Sequence, residues 1–596
     1  MPDTKSFKKA LLHHQAGELE LAAQSYQASL KKTPNDHRAL ANLGIALKEL
    51  GRIDEAIASC HKAITEKPDY ANGWNNLGIS LLAQGRMEEA AEAYRKAVKL
   101  DPGFFESWSN LGVALTAQGF LPDAIDCFEK ALAIAPNYTE ALTQLIHQSQ
   151  QICRWDDLDA PLQRLVTQIK HNAGGINPFA LLSVCNAPED LLQCATNFSA
   201  KLEQEALKAT NALELRHDWP AHKKLRIGYM SGNFRQHATA YLTAQLFESH
   251  DHKRFETFAY SYGHDDASPT RKRLVDAFDH FHDVRFENIK QTAKRINLDE
   301  IDILVDLKGY SQGARTKIMA LRPAPVQVNF LGYPGTMGAN FIDYIVVDRF
   351  IVPPGHEPHY LEKCVFMPDA YQPNDGNRKI APDPGTRISH GLPAKGFVFC
   401  SFNQAAKITP EVFSIWMRLL SQVESSVLWL LAFNTYTEQA LRDKAAAFGV
   451  DPERIIFAPQ APLDAHLARY KLADLFLDTF PCNAHTTASD ALWGGCPVLT
   501  CAGETFASRV AGSLLRTLEM DDLITTSLTD YEALALKLAQ EPKTLAKKKK
   551  LLAKRRTTNP LFDGTLFAKN LERGYETIWD RHLKGLEAES FEVPTE

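Results

Sequence analysis

The sequence predicts an all-helical repeat array followed by two α/β domains built on parallel sheets. Three observations carry that reading. Landmark residues recur every 34 positions in the first quarter of the chain, short apolar strands alternate with helical stretches from Leu225, and the alternation restarts after a Pro/Gly-rich passage. At 596 residues the chain is also too long for one hydrophobic core, and three or four domains are expected.

The repeats come first. Asn42-Leu43-Gly44, Asn76-Leu77-Gly78 and Asn110-Leu111-Gly112 keep a 34-residue step, as do Gly17, Gly51, Gly85 and Gly119, and Pro34, Pro68, Pro102 and Pro136. This is the tetratricopeptide period: a helix, a Gly-containing turn, a second helix, and a Pro where the pair ends. One pair cannot bury its apolar face alone, so the pairs stack into a superhelix with an extended concave surface. Residues 1–138 form this array, and 139–222, which lose the period but stay helical in pattern, form a cap and connector.

From Leu225 the strands LRIGYM, FETFAYSY, IDILVDL, VQVNFL and IDYIVV alternate with helical stretches, the mark of parallel strands with crossover helices. The passage PNDGNRKIAPDPGTRISHGLPAKG (373–396) reads as a linker. The first lobe is therefore placed at 223–375, the linker proper at 376–396, a second lobe at 397–580 and a tail at 581–596. In the second lobe the strands FVFCSF, VLWLLAF, RIIFAP, LADLFLDTF and CPVLT enclose helices EVFSIWMRLLSQV, LDAHLARY and TTASDALW. Tandem sheets of this kind bind ligands at the carboxyl ends of their strands, in the cleft between lobes.

Composition narrows the function. A net charge of −6 argues against nucleic acid as an electrostatically recruited partner. The N-terminus MPDTKSFKKALLHH has no apolar signal core, and no run of 18 apolar residues occurs, so no membrane span is expected. Ten scattered Cys without a C-x-x-C pair fit a reduced, cytoplasmic compartment. No G-x-G-x-x-G or P-loop follows a strand. The acidic run WDDLDA (155–160) imitates a metal-carboxylate pattern but falls in the connector, where a solvated helix face accounts for it. The basic run LAKKKKLLAKRR reads as a solvated helix face too, with docking to anionic lipid or an acidic partner as the alternative.

Five places remain where chemistry can sit. In CNAHTTASDALW, Thr486 and Thr487 fall at the cap and first turn of a helix after a strand; free N–H groups and the helix dipole make that a phosphate site, with simple capping as the alternative. Asp490, a turn further on, is placed to accept from sugar hydroxyls. FNQAAKIT brings Gln404 and Lys407 to another strand exit, where a Lys is a point charge for phosphoryl oxygens or a solvated surface residue. APLDAHLARY offers His466 and Arg469 on one helix face. In the first lobe, SGNFRQHATAYL puts His237 at the carboxyl end of the first strand, either to bind substrate or move a proton or as a structural His. The loop LGYPGTMG either brings backbone amides to a ligand or makes a tight turn.

Together these residues resemble the family of protein O-GlcNAc transferases and their SPINDLY-type relatives. The similarity runs through ALRPAPVQVNFLGYPGTMG, SFNQAAKIT, QAPLDAHLARY, CNAHTTASDALWGGCPV and GETFASRVAGSLL, roughly residues 225–580, with repeats in front as the family has. The resemblance implies a GT-B glycosyltransferase that moves N-acetylglucosamine from UDP-GlcNAc to Ser or Thr hydroxyls, with inversion and with neither metal nor cofactor. It implies Lys407, Thr486 and Thr487 at the donor diphosphate and Gln404, the Ala461 backbone, His466 and Arg469 around the nucleotide. His485 would lie near uracil, Asp490 at the ribose, and Gly332, Pro334 and Cys482 in the sugar pocket. His237 is then the active-site His and the candidate base, with a donor phosphate oxygen or a relayed water as alternatives. Asn42, Asn76 and Asn110 match an asparagine ladder that grips protein acceptors along the concave face; the alternative is that they only stabilise the repeats.

Three departures from the family pattern stand out: Leu463 replaces a Lys near the nucleotide, Asp306 and Lys308 in VDLKGY replace Asn, and the repeat array is short. Two rival readings follow. One is a SPINDLY-type O-fucosyltransferase using GDP-fucose, against which His485 speaks, since that branch is expected to lack it. The other is a repeat scaffold with an inactive transferase fold.

Overall fold

A computed structural model describes residues 4–172, 174–209, 213–219 and 222–595. It divides into two compact units: Met1–Ser149 with Asp157–Ile176 and Lys201–Leu213, and Gln150–Asp156 with Asn177–Ala200 and Glu214–Glu596.

In the first unit, helix pairs follow the 34-residue step: Thr4–Gln15 with Leu19–Lys32, His37–Glu49 with Ile53–Glu66, Ala71–Ala83 with Met87–Leu100, and Phe105–Ala117 with Leu121–Ile134. The turn within each pair needs a left-handed residue, which Gly17, Gly51, Gly85 and Gly119 supply at φ between +76° and +83°. Small and large apolar residues (Ala39, Leu43, Ala46, Leu47) are buried between helices. Polar contacts fix the stacking of successive repeats. Buried Asn75 Oδ1 accepts from Ser107 Oγ (2.8 Å) and Asn110 Nδ2 (3.0 Å), and Asn76 Nδ2 donates to the Ala41 carbonyl (3.2 Å).

The second unit holds two parallel sheets. The first contains β1 (Leu225–Ser231), β2 (Phe255–Ser261), β3 (His280–Asp283), β4 (Ile303–Asp306), β5 (Val326–Asn329), β6 (Tyr344–Asp348) and β7 (Lys363–Met367). The second contains β8 (Val398–Ser401), β9 (Val427–Leu431), β10 (Ile455–Ala458), β11 (Leu475–Leu477), β12 (Val498–Cys501) and β13 (Ile524–Thr525); a last strand, β14 (Phe591–Glu592), returns to the first sheet. The orders are β14-β7-β6-β5-β4-β1-β2-β3 and β10-β9-β8-β11-β12-β13. The direction of winding therefore reverses between β1 and β4 in the first sheet and between β8 and β11 in the second, and a crevice opens at each reversal.

The central strands read as buried apolar runs because helices cover both faces. β3 escaped the sequence reading because HFHD is an edge strand of four half-exposed residues with no apolar run. The segment after 580, read as a tail, instead carries β14, which pairs with β7 (Phe591 opposite Val365). The helix Gly564–Leu583 before it docks on the first lobe through buried Glu572, which accepts from His250 Nδ1 (2.9 Å), Asp251 N (2.8 Å) and Arg254 Nη2 (2.8 Å). The basic run lies on the helix Pro542–Arg555 and is partly spent on the second lobe: Lys549 reaches Asp474 (3.1 Å) and Arg555 the Leu518 carbonyl (3.1 Å). No described helix is long and apolar enough to cross a membrane.

Candidate functional site

The two predicted phosphate clusters of the second lobe leave the sheet on either side of its reversal, FNQAAKIT after β8 and CNAHTT after β11, and the structure brings them together. Lys407 Nζ donates to the Asn483 carbonyl (2.6 Å), three residues before the helix Thr486–Gly494 begins, and Thr487 Oγ1 donates to Asn403 Oδ1. The cap of that helix is His485, which makes no side-chain capping bond, so Thr486 and Thr487 are its first two helical residues rather than its caps. The orphan amides of the first turn are thereby left for a ligand.

A carboxylate absent from the sequence reading holds this turn. Asp478, just past β11, accepts from the amides of Ala484 (2.6 Å) and Thr479 (2.7 Å) and from Thr500 Oγ1 (2.6 Å). Burial raises it to about 6, against the pull of those donors and of Lys407. Asn403 Nδ2 donates to Thr479 Oγ1 (2.9 Å), so the β8 and β11 loops are bonded along their length. A lone Asp and Asn at strand ends gave only a weak sequence signal.

The third exit joins the same cluster. His466 stands on the short helix Leu463–Arg469 with Nε2 4.0 Å from Asp490 Oδ2, and its Nδ1 is bonded to Arg469. Arg469 also donates to the Pro459 carbonyl (2.7 Å) and lies over the Phe402 ring (4.5 Å). Burial and the guanidinium groups of Arg469 and Arg378 depress His466 to about 3, so the imidazole is neutral. Asp490 is ion-paired with Arg378 (2.5 Å), a linker residue the sequence reading passed over. Its carboxylate is thus engaged and fixed rather than open, while burial raises its pKa. Gln404 and Ala461 are exposed at their loops, and His485 faces the Ala507 carbonyl with Nε2 at 3.3 Å. Cys482 is buried in the electrostatic reach of Lys407, its thiol pushed up by burial.

In the first lobe His237 caps the helix Ala238–Glu248, its Nδ1 accepting from the Thr239 amide at 3.1 Å. That bond leaves the neutral ring's proton on Nε2, making His237 an N–H donor; to act as a base in this geometry it would have to surrender its cap. Burial, then Lys308 and Arg235, lower it to about 4. The loop LGYPGTMG leans on the exit of β4: a Cβ at Gly332 would stand 1.9 Å from the Leu307 carbonyl oxygen, so only glycine fits. Buried Glu362 ties the loop down, accepting from Thr336 Oγ1 and the Met337 amide, both at 2.5 Å. Pro334 is buried within it. The helices Ala238–Glu248 of the first lobe and Thr486–Gly494 of the second pack against each other.

Two parallel-sheet lobes, with a lysine and a helix N-terminus converging at the reversal of the second and tetratricopeptide helices ahead of both in the chain, have the GT-B architecture found among glycosyltransferases. The chain belongs to glycosyl transferase family 41, whose profile it matches over residues 152–382 and 383–571; the tetratricopeptide repeat profile matches 7–71 and 75–139. It is 37% identical over 468 residues, 75% of this chain and 48% of the relative, to the probable UDP-N-acetylglucosamine–peptide N-acetylglucosaminyltransferase SEC of Arabidopsis thaliana. It is 27% identical to the UDP-N-acetylglucosamine–peptide N-acetylglucosaminyltransferase of Caenorhabditis elegans, over 73% of this chain and 49% of that one. The chain thus spans about half the length of these curated relatives. Among solved structures, a mutant O-GlcNAc transferase of Thermobaculum terrenum aligns with a TM-score of 0.65 at 27% identity, covering 92% of this chain and 98% of that one.

Proposed function

We propose that this chain transfers N-acetylglucosamine from UDP-GlcNAc to Ser or Thr hydroxyls of proteins, with inversion at the anomeric carbon. The observation that carries the reading is the Lys407–Asn483 bond, which sets an ammonium beside the open N-terminus of the helix Thr486–Gly494. Negative charge grows on the diphosphate as the glycosidic bond breaks, and a fixed ammonium with oriented amides stabilises it without rearrangement. In this reading that charge does the work of a metal, and no cofactor takes part. Thr486 and Thr487 sit at the phosphates, Gln404, Ala461, His466, Arg469, His485 and Asp490 form the nucleotide shell, and Gly332, Pro334 and Cys482 bound the sugar. His237 donates its Nε2–H to a substrate oxygen, and the acceptor proton leaves to a phosphate oxygen of the departing group or to water.

The acceptor protein lies along the repeats, with Asn42, Asn76 and Asn110 contacting its backbone. Ten free cysteines, nine of them buried, support a reducing compartment, and we place the protein in the cytoplasm. Incubation with a peptide mixture and either labelled UDP-GlcNAc or labelled GDP-fucose tests the reading. Label from UDP-GlcNAc alone is expected; label from GDP-fucose alone would move the chain to the fucosyl branch, and label from neither would leave the scaffold reading.

A further inference from the structure

The first lobe has its own charged pair at its sheet reversal. Asp306 ends β4 and pairs in register with Met230 of β1, and Leu307 N donates to the Met230 carbonyl (3.1 Å), so the exits of β1 and β4 lie side by side. Asp306 is 1% exposed; its Oδ1 accepts from the Lys308 amide (2.9 Å), and its Oδ2 is buried with no partner. Lys308 is 6% exposed, and among the described residues no carboxylate comes within ion-pair distance of its ammonium. Its one near acceptor is the Asn233 side chain: with that amide turned so that its nitrogen faces the Gly232 carbonyl (3.3 Å), its oxygen accepts from Lys308 Nζ (3.3 Å). Asn233 belongs to the loop that runs into His237, and Gly332 closes over the backbone of Leu307 and Lys308.

A buried ammonium is costly unless something needs its charge. We propose that Lys308 is a positioning residue of the cleft, whose ammonium, planted beside the His237 loop by the β4 exit, holds the His237 imidazole as an uncharged Nε2–H donor toward the substrate. The helix N-terminus and the Thr239 amide fix the tautomer, and Lys308 opposes ionisation. The charged groups facing His237 are Lys308 and Arg235, and those facing Lys308 are Asp306 and Arg235. Burial is the larger cause of the lowered His237 imidazole, and the like charges of Lys308 and Arg235 lower it further.

The coupling is tested without substrate, so it stands or falls apart from the transfer reaction. In the full chain labelled with 15N-histidine, the His237 signal is assigned by its loss in His237→Gln. The wild type should show a neutral ring protonated on Nε2 down to a midpoint near 4. Lys308→Met should raise that midpoint by on the order of one pH unit, and Lys308→Arg should restore it. A ring protonated on Nδ1 in the wild type, or an unchanged midpoint in Lys308→Met, would overturn the proposal. Should Lys308→Met not fold, Lys308→Gln replaces it, and the wild-type tautomer decides on its own. A kinetic arm rests on the glycosyl-transfer reading: Lys308→Met should keep UDP affinity within about twofold while kcat falls roughly tenfold. Loss of UDP binding as severe as that of Lys407→Ala would place Lys308 on the nucleotide instead and refute the assignment.

Discussion

Lys407 Nζ and the Asn483 carbonyl, 2.6 Å apart, join two loops that are 76 residues distant in sequence and that flank the reversal of the second sheet. The bond sets an ammonium three residues ahead of the helix Thr486–Gly494.

Lys407→Ala should lower kcat for sugar transfer by on the order of 10²- to 10³-fold and weaken UDP binding, with the thermal midpoint little changed. Steady-state kinetics and calorimetric UDP titration check this. Unchanged turnover would remove Lys407 from the reaction.

Gly332→Ala forces a Cβ to 1.9 Å from the Leu307 carbonyl oxygen. The loop must shift, at a cost of ~3 kcal/mol, and transfer should fall with it. Gly355→Ala is the control: its φ is +91° but nothing lies within 4 Å of the new Cβ, so the cost is about 1 kcal/mol. Urea denaturation of both variants gives the comparison.

Asp306 is raised to about 6 by burial, above its ordinary value near 3.9 in an unfolded chain. A carboxyl raised in the folded state favours folding fully below about pH 4, and that contribution is lost as pH rises through 6. Asp306→Asn should therefore stabilise the chain more at pH 7 than at pH 4.5, by at most about 3 kcal/mol. A stability difference between variant and wild type that does not grow with pH would contradict the assignment.

Asn75 accepts from both Ser107 and Asn110 across a repeat boundary. Asn75→Ala leaves two donors unfilled and should destabilise the array by roughly 1–3 kcal/mol without changing UDP affinity. Asn110→Ala, by contrast, should raise KM for protein acceptors more than for a short peptide. Equal effects on both acceptors would confine Asn110 to repeat packing.

The repeats and most strands were legible because each obeys a local rule: a fixed period, or an apolar run bounded by turn residues. The clusters around Lys407, Thr486 and His466 were legible as strand-to-helix exits. Arg378 was not, since a linker arginine gives no local sign that it will ion-pair with Asp490, 112 residues away. Asp478 and Asn403 are single polar residues whose meaning appears only when β8 and β11 become neighbours. The tautomer of His237 was equally hidden, because it depends on one backbone amide two residues along the chain.

β14 completes the first sheet from far downstream, with the Ser590 hydroxyl bonded to the Cys364 amide across 226 residues. The second lobe is thus threaded into the first as an insertion. A ribosome making this chain finishes the second lobe before it supplies the edge of the first, so the first sheet is completed last. A nascent chain stopped at residue 560 would lack both the docking helix and β14, and its first sheet would keep β7 as a bare edge open to unwanted pairing.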